Sequence, residues 1–384
     1  MNLTRKAPRF IERCAPLFWC GLLTGAACAA QAQTQTQTQT DTGLVVQFHQ
    51  SRVSGFLDGN LLADGQAAVA HPNADGLSYA TTELQTSFPV PGLGQNWRMG
   101  AFVGAQAWIK TDAVRAAAFV NNKEQADENA AYPLNISYQV ASRRGLSLAK
   151  TTPLDLPQFA SSLLVVRARA FVVDRFKAGQ SDGTLIETAS GQLGLQANVN
   201  QYQLGGTSPF INPAKTLGRG ATFDLGLHLE DHDGNYGIVS IADVGPAVRL
   251  SSVLRTDRKA NTNNVSYDAN GYVQYAPLIQ GKYSAAGYRF RFTPTLLAEG
   301  GLKVSPNLHM IARLESTAPV HQIAVGSVLN LYQQRIETVA YLGPGIPASL
   351  GIDWRFKYGN IGWRGDRLSL SRARDWAITA GLRF

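Results

Sequence analysis

Ile352-Asp-Trp-Arg-Phe-Lys-Tyr358 sets Ile352, Trp354, Phe356 and Tyr358 on one face of an extended chain and Asp353, Arg355 and Lys357 on the other. Side chains alternate across a strand, so large apolar residues at period two against charges describe a strand between two unlike surroundings. The alternation returns in Tyr288-Arg-Phe-Arg-Phe292, in Phe223-Asp-Leu-Gly-Leu-His-Leu229, and in Leu308, Met310, Ala312 and Leu314 opposite His309, Arg313 and Glu315. Weaker versions lie at 134–140, 193–199 and 323–331. Asp233-Gly234, Pro344-Gly345 and Gly359-Asn360 supply turn chemistry at the spacing of an antiparallel meander. The pattern predicts an all-β chain, an antiparallel transmembrane β-barrel of roughly 12 to 16 strands. Only Asp112 to Ala130 reads as a helix or ordered loop, and 111–131, 204–219 and 253–270 read as long connections.

At the C-terminus Trp376, Ile378, Ala380, Leu382 and Phe384 alternate with Ala377, Thr379, Gly381 and Arg383. A last strand of this kind ending on an aromatic resembles the signal read by the outer-membrane insertion machinery. Trp376, Ile378, Leu382 and Phe384 are therefore expected to carry it, with that machinery and outer-membrane lipid as partners. Trp97, Trp108, Tyr288, Trp354, Tyr358, Trp363 and Trp376 fall near predicted strand ends, where an interfacial aromatic girdle would form.

The N-terminus is an export label. Arg5, Lys6, Arg9 and Arg13 precede an apolar stretch from Leu17 to Ala30 and a small-residue exit at Ala30-Gln-Ala32. Cleavage there removes Cys14, Cys20 and Cys28, all the cysteines, and with them any disulfide framework or Cys-ligated metal. The organisation expected is a signal peptide over 1–32, a Gln/Thr-rich disordered tether over 33–43 and one barrel domain over 44–384. No later run reaches the roughly 20 apolar residues of a membrane helix.

The formal charge is +8, of which Arg5, Lys6, Arg9 and Arg13 against Glu12 contribute +3, leaving +5 on the exported chain. That is too mild a balance to imply nucleic acid. Charged residues make up 16% of the chain, against about 25% in soluble domains. A barrel with half of each strand on lipid has this profile, and the label and the final strand together place it in the outer membrane of a Gram-negative cell.

Gly218-Arg-Gly-Ala-Thr-Phe-Asp-Leu-Gly226, followed by Asn235-Tyr-Gly-Ile-Val-Ser-Ile-Ala-Asp-Val-Gly245, resembles a hairpin of the TraF-type and FadL-like (fatty-acid-transporter-like) barrels. The resemblance implies a barrel and the handling of hydrophobic or amphipathic molecules. Two features depart from that group. Asn212-Pro-Ala214 lies mid-chain rather than near the N-terminus, and Leu44 to Ser51 already reads as a strand where a plug would sit.

Three constellations bear on chemistry. Asp224, His228, Glu230 and His232 share a face, and imidazole with carboxylate makes His228, Glu230 and His232 candidate metal ligands, although same-face residues stand roughly 6.5 to 7 Å apart. Arg289, Arg291, Arg313, Arg355, Lys357, Arg367 and Arg383, with Asp353, oppose apolar faces and are expected to line the lumen. There they would either draw anions or pair with Asp353, Glu315 and Asp366 as a filling network. His309 with Ser316, or His321 with Ser327, form no recognisable nucleophile elbow, and no cofactor motif appears, so no enzyme and no cofactor are expected. The functional expectation is a pore or transporter-like channel for small anionic or amphipathic molecules. The alternative is a sealed barrel serving an envelope or conjugation system as a structural or assembly accessory.

Overall fold

The structure is a computed structural model that describes residues 43–55, 76–94, 96–114, 131–187, 193–206, 217–261, 265–267, 273–275, 278–318, 320–368 and 373–384. The signal peptide, nearly all of the tether, the expected helix beyond Val114 and Asn212-Pro-Ala214 lie outside the described residues.

In chain order the strands are β1 (Val45–Ser54), β2 (Leu77–Pro89), β3 (Trp97–Thr111), β4 (Ala131–Pro133), β5 (Ile136–Pro153), β6 (Ser161–Glu187), β7 (Leu193–Gln203), β8 (Gly218–Glu230), β9 (Tyr236–Val244) and β10 (Val248–Asn261). They continue with β11 (Val265–Tyr267), β12 (Val273–Tyr275), β13 (Leu278–Phe290), β14 (Thr295–Ser305), β15 (Leu308–Thr317), β16 (Val320–Leu331), β17 (Gln334–Gly343), β18 (Ile346–Phe356), β19 (Gly359–Gly365) and β20 (Asp375–Arg383). Every recorded pairing is antiparallel, and β20 pairs back onto β1, with Val45 opposite Arg383. The sheet closes into a barrel whose wall runs β1, β2, β3, β5, β6, then β7 above β8, β10 above β9 and β13 above β14, then β15 through β20, 14 strand positions around. The all-β expectation holds, and the count falls inside its range. Val253–Asn261, expected in a connection, is instead the outer part of β10, because Val253 and Leu254 bury against the interior.

The wall is interrupted at three neighbouring places. β7 and β8 both pair with β6, one above the other. β9 and β10 follow each other in the same way, as do β13 and β14. The sequence supplies the breaks. Asp243 takes φ 60° and Gly245-Pro246 follows it, while Pro294 stands between β13 and β14. Proline has no N–H to give a ladder, so at these two places the strand stops and restarts displaced.

One end of the barrel carries both described termini and the tight turns, among them Asp231–Asn235 and the two-residue link between β16 and β17. The other end carries the longer connections beside the two-residue links of β15–β16 and β17–β18, in line with the asymmetry of outer-membrane barrels. Polarity is inverted relative to a soluble protein. Leu302, Leu350, Ile323 and Val103 face outward and are more than half exposed, whereas Arg169, Asp224, Asp243, Glu337 and Asp375 are buried inside. Such an arrangement is stable only where the outside is apolar. Among the described residues no helix is long and apolar enough to cross a membrane. Of the girdle aromatics, Trp97, Trp354 and Tyr358 lie outside near the short-turn end, but Trp108 packs with Val53 and Tyr79 and Tyr288 packs against the interior.

Candidate functional site

The lumen is the candidate site, and two ion networks and an aromatic cluster fill it. The first network joins β2, β5, β6, β8 and β9. Arg143 grips Asp243 with both guanidinium nitrogens, at 2.6 and 2.7 Å. Arg169 reaches Glu83 at 2.9 Å and Asp224 at 3.0 Å, and Arg167 lies 3.8 Å from Asp224. Asp243 holds its left-handed backbone because its N–H donates to Asp224 Oδ1 at 2.9 Å and Thr222 Oγ1 donates to its carboxylate at 3.3 Å. A strained residue persists only where its surroundings over-determine it, and here the surroundings are the network itself.

The second network lies across β14 to β20. Arg313 contacts Glu299 at 2.6 Å, also binds Glu337, lies 3.7 Å from Glu315 and donates to Tyr341 Oη at 2.9 Å. Arg364 bridges Asp375 at 3.0 Å and Glu315 at 3.5 Å, and Ser349 Oγ and Gln322 Nε2 donate to Asp375 at 2.6 and 3.1 Å. Arg355 pairs with Asp353 at 2.6 Å and lies 3.9 Å from Glu337. The arginines of these two networks face at least as many carboxylates, so the networks leave no excess of positive charge to draw anions.

The aromatic cluster sits where the wall is broken. Between β13 and β14 the chain turns inward, and its backbone is held from the opposite wall. Thr293 N–H donates to Gln106 Oε1 at 2.8 Å, Gln106 Nε2 donates to Thr293 O at 3.2 Å, and Gln139 Nε2 donates to Arg291 O at 3.2 Å. These amides replace the strand partners that the break removes. Phe290 stacks on Phe176 at 4.4 Å between centroids, and Phe292 meets Phe171 edge-on at 5.3 Å. The Arg143 guanidinium lies 4.3 Å from the Phe292 ring centre, which joins the aromatic cluster to the first network.

Below these, at the short-turn mouth, a cavity of 260 Å³ is lined by His228, Glu230, Tyr236, His309, Arg335 and Arg355 among others. Tyr236 donates to Glu299 Oε1 at 2.9 Å, and its ring occupies the space beside Gly301, where a Cβ would fall 2.2 Å from it.

The expected lumen residues divide. Arg313, Asp353 and Arg355 face inward, and Arg383 shares their side at the mouth. Arg289 and Arg291 do not. They are exposed on the outer wall, because at β13 the apolar face of Tyr288 and Phe290 is turned in against Phe176 and Val253. Lys357 lies exposed in the β18–β19 turn, its ammonium 5.2 Å from the Tyr358 ring centre, and Arg367 lies exposed in the β19–β20 connection. His228 and Glu230 line the mouth cavity, but His232 is out in the turn with Nε2 3.4 Å from Pro157 O. Among the described residues no three His, Cys, Asp or Glu side chains are grouped at metal-binding range. Of the insertion-signal residues, Leu382 and Phe384 are exposed outside and Ile378 is half-buried on the same side, while Trp376 is buried. Ser316 and His321 meet at 2.8 Å on the outer face, away from the lumen. The first network was missed, although Arg167-Ala-Arg-Ala-Phe-Val-Val173 carries the same alternation as the strands that were read.

No described protein family and no curated protein matches this sequence. Among solved structures, the chain is similar to a TodX deltaS2S3 mutant monoaromatic hydrocarbon channel, with 9% identity, 94% of this chain and 96% of that one covered, and a TM-score of 0.47. A Pseudomonas aeruginosa FadL homologue matches with 8% identity, 89% of each chain and a TM-score of 0.39. Both are FadL-like in their described character and neither is TraF-type, and at these identities the likeness concerns the fold alone.

Proposed function

We propose that this chain is an outer-membrane barrel of the transporter type, closed at rest, that passes small amphipathic molecules. The observation that carries the reading is the in-turned segment between β13 and β14. A piece of wall has been folded into the bore and is held there by the Gln106 and Gln139 amides. It packs against aromatic side chains, so moving it outward would open a path with apolar sides beside charged networks. The cavity at the mouth, with Ile238 and Val328 beside Tyr236, Arg335 and Glu230, has the same mixed character. Inner networks without an excess of cations support an amphipathic passenger better than a simple anion.

Planar-bilayer recording tests this. The wild type should conduct little, and Phe292→Ala combined with Gln106→Ala should raise conductance severalfold while the folded barrel keeps its heat-modifiable gel mobility. A variant that folds and stays as closed as the wild type would remove the channel reading. It would leave the second one, a sealed barrel with an accessory role, which the dense ion pairing inside the barrel favours.

A further inference from the structure

Arg289, which faces out rather than into the lumen, belongs to a row of arginines on the outer wall. The strand register sets Arg249 of β10 directly opposite Arg219 of β8 on one side and Arg289 of β13 on the other. One strand further, Val172 of β6 stands between Arg219 and Arg144 of β5. All four arginines are exposed on the outer wall. Arg144 has Asp174 at 4.0 Å, but Arg219, Arg249 and Arg289 have no ion pair among the described residues. Like charges facing each other across neighbouring strands destabilise a sheet. Inside the barrel, by contrast, Arg143, Arg169, Arg313 and Arg364 each have a carboxylate within 4.0 Å.

The row also has a definite height. Directly toward the short-turn end lie Leu146 on β5 and Phe223 and Leu225 on β8, which are exposed and apolar. On β6 the row crosses at Val172, about 11 residues above Ser161, which is roughly 28 Å along the barrel axis at 3.3 Å per residue and a tilt near 40°. That matches the ~25 Å apolar band of a membrane barrel, so the row stands where hydrocarbon gives way to headgroups, on the long-loop side.

We infer that Arg219, Arg249 and Arg289, with Arg144 at the end of the row, form a binding site for the phosphate groups of outer-leaflet lipids. Guanidinium groups match phosphate oxygens bidentately, and a phosphate between two facing arginines turns a repulsive pair into a bridged one. The inference rests on the outer-membrane placement proposed above.

The test uses the full exported chain, folded in uncharged maltoside micelles, with heat conversion of the folded gel band as the readout. Didodecanoyl phosphatidic acid should raise the conversion temperature of the wild type. Diacylglycerol with the same tails should not, and inorganic phosphate at equal concentration should have little effect. In Arg219→Gln/Arg249→Gln/Arg289→Gln the response should vanish, with lipid binding roughly 100-fold weaker. The corresponding triple lysine variant should recover most of it. Without lipid the glutamine variant should convert at or above the wild-type temperature, since repulsion has been removed. An equal response in wild type and glutamine variant, or full reproduction of the effect by inorganic phosphate, overturns the site. A wild type with no heat-modifiable form would overturn the placement instead.

Discussion

Arg289 and Arg355 occupy nearly the same local sequence, Tyr288-Arg-Phe290 and Trp354-Arg-Phe356, and end on opposite sides of the wall. In β18 the aromatic face looks outward, with Trp354 exposed, and Arg355 turns in to Asp353 and Glu337. In β13 the aromatics turn inward onto Phe176, and Arg289 looks out. Alternation tells which residues share a face. What lies behind that face decides which way it points, and in this barrel an apolar face has two destinations, lipid or the cluster around the broken strands.

The comparison breaks most visibly at the inner network. Arg313→Ala strands Glu299 and Glu337 without their cation, and removing one partner of a buried pair costs about 3–5 kcal/mol. Arg289→Ala, on the exposed outer wall, should stay within ~0.5 kcal/mol. Urea titration of the folded gel band checks both, and similar midpoint losses would erase the distinction between inner and outer arginines. A smaller effect is expected at the lipid face. Ile352→Arg, at an outward position of β18, should cost about 2–4 kcal/mol if it lies near mid-bilayer. Arg289→Leu should fold as well as the wild type, and failure of that variant to assemble would mean that Arg289 points inward after all.

The smallest effect concerns the Asp231–Asn235 turn. Hydrogen bonds from Asn235, and then from the backbone of Asn235, Asp233 and Gly234, hold the Asp231 carboxyl below the usual carboxylate range. A carboxylate depressed in the folded state stabilises above its unfolded pKa, and that contribution is lost as pH falls through the folded value. The stability gap between wild type and Asp231→Asn should therefore be present at neutral pH and shrink in acid. A gap independent of pH would show that the ionised carboxylate does nothing for the turn.

Much of the fold was legible because β15 to β20 have one face on lipid and one on charges, which is what period-two reading detects. Arg313, Asp353 and Arg355 lie on the charged face for that reason. The reading failed at β13, where both neighbours of Arg289 are apolar whichever way the strand faces, and nothing local reveals that the strand ends in a break. Val253–Asn261 was read as a connection because its outer half, Asp257-Arg-Lys259, is polar, although it is paired on both sides. The partners of Arg143 were out of reach, since Asp243 lies 100 residues away along the chain.

The uneven strand lengths bear on how a solute meets this barrel. β6 runs 27 residues and β15 only 10, so β5, β6, β7, β10 and β13 rise as a screen on one side while the β15–β16 and β17–β18 hairpins end low on the other. From Val173 to Glu187 the screen adds roughly 45 Å of strand. On the transporter reading proposed above, a molecule drifting along the membrane surface would be stopped by the tall side and would find the β15–β16 and β17–β18 rim low on the other. The mouth would then accept traffic from a restricted sector, more like a scoop set into the surface than a well open to the sky.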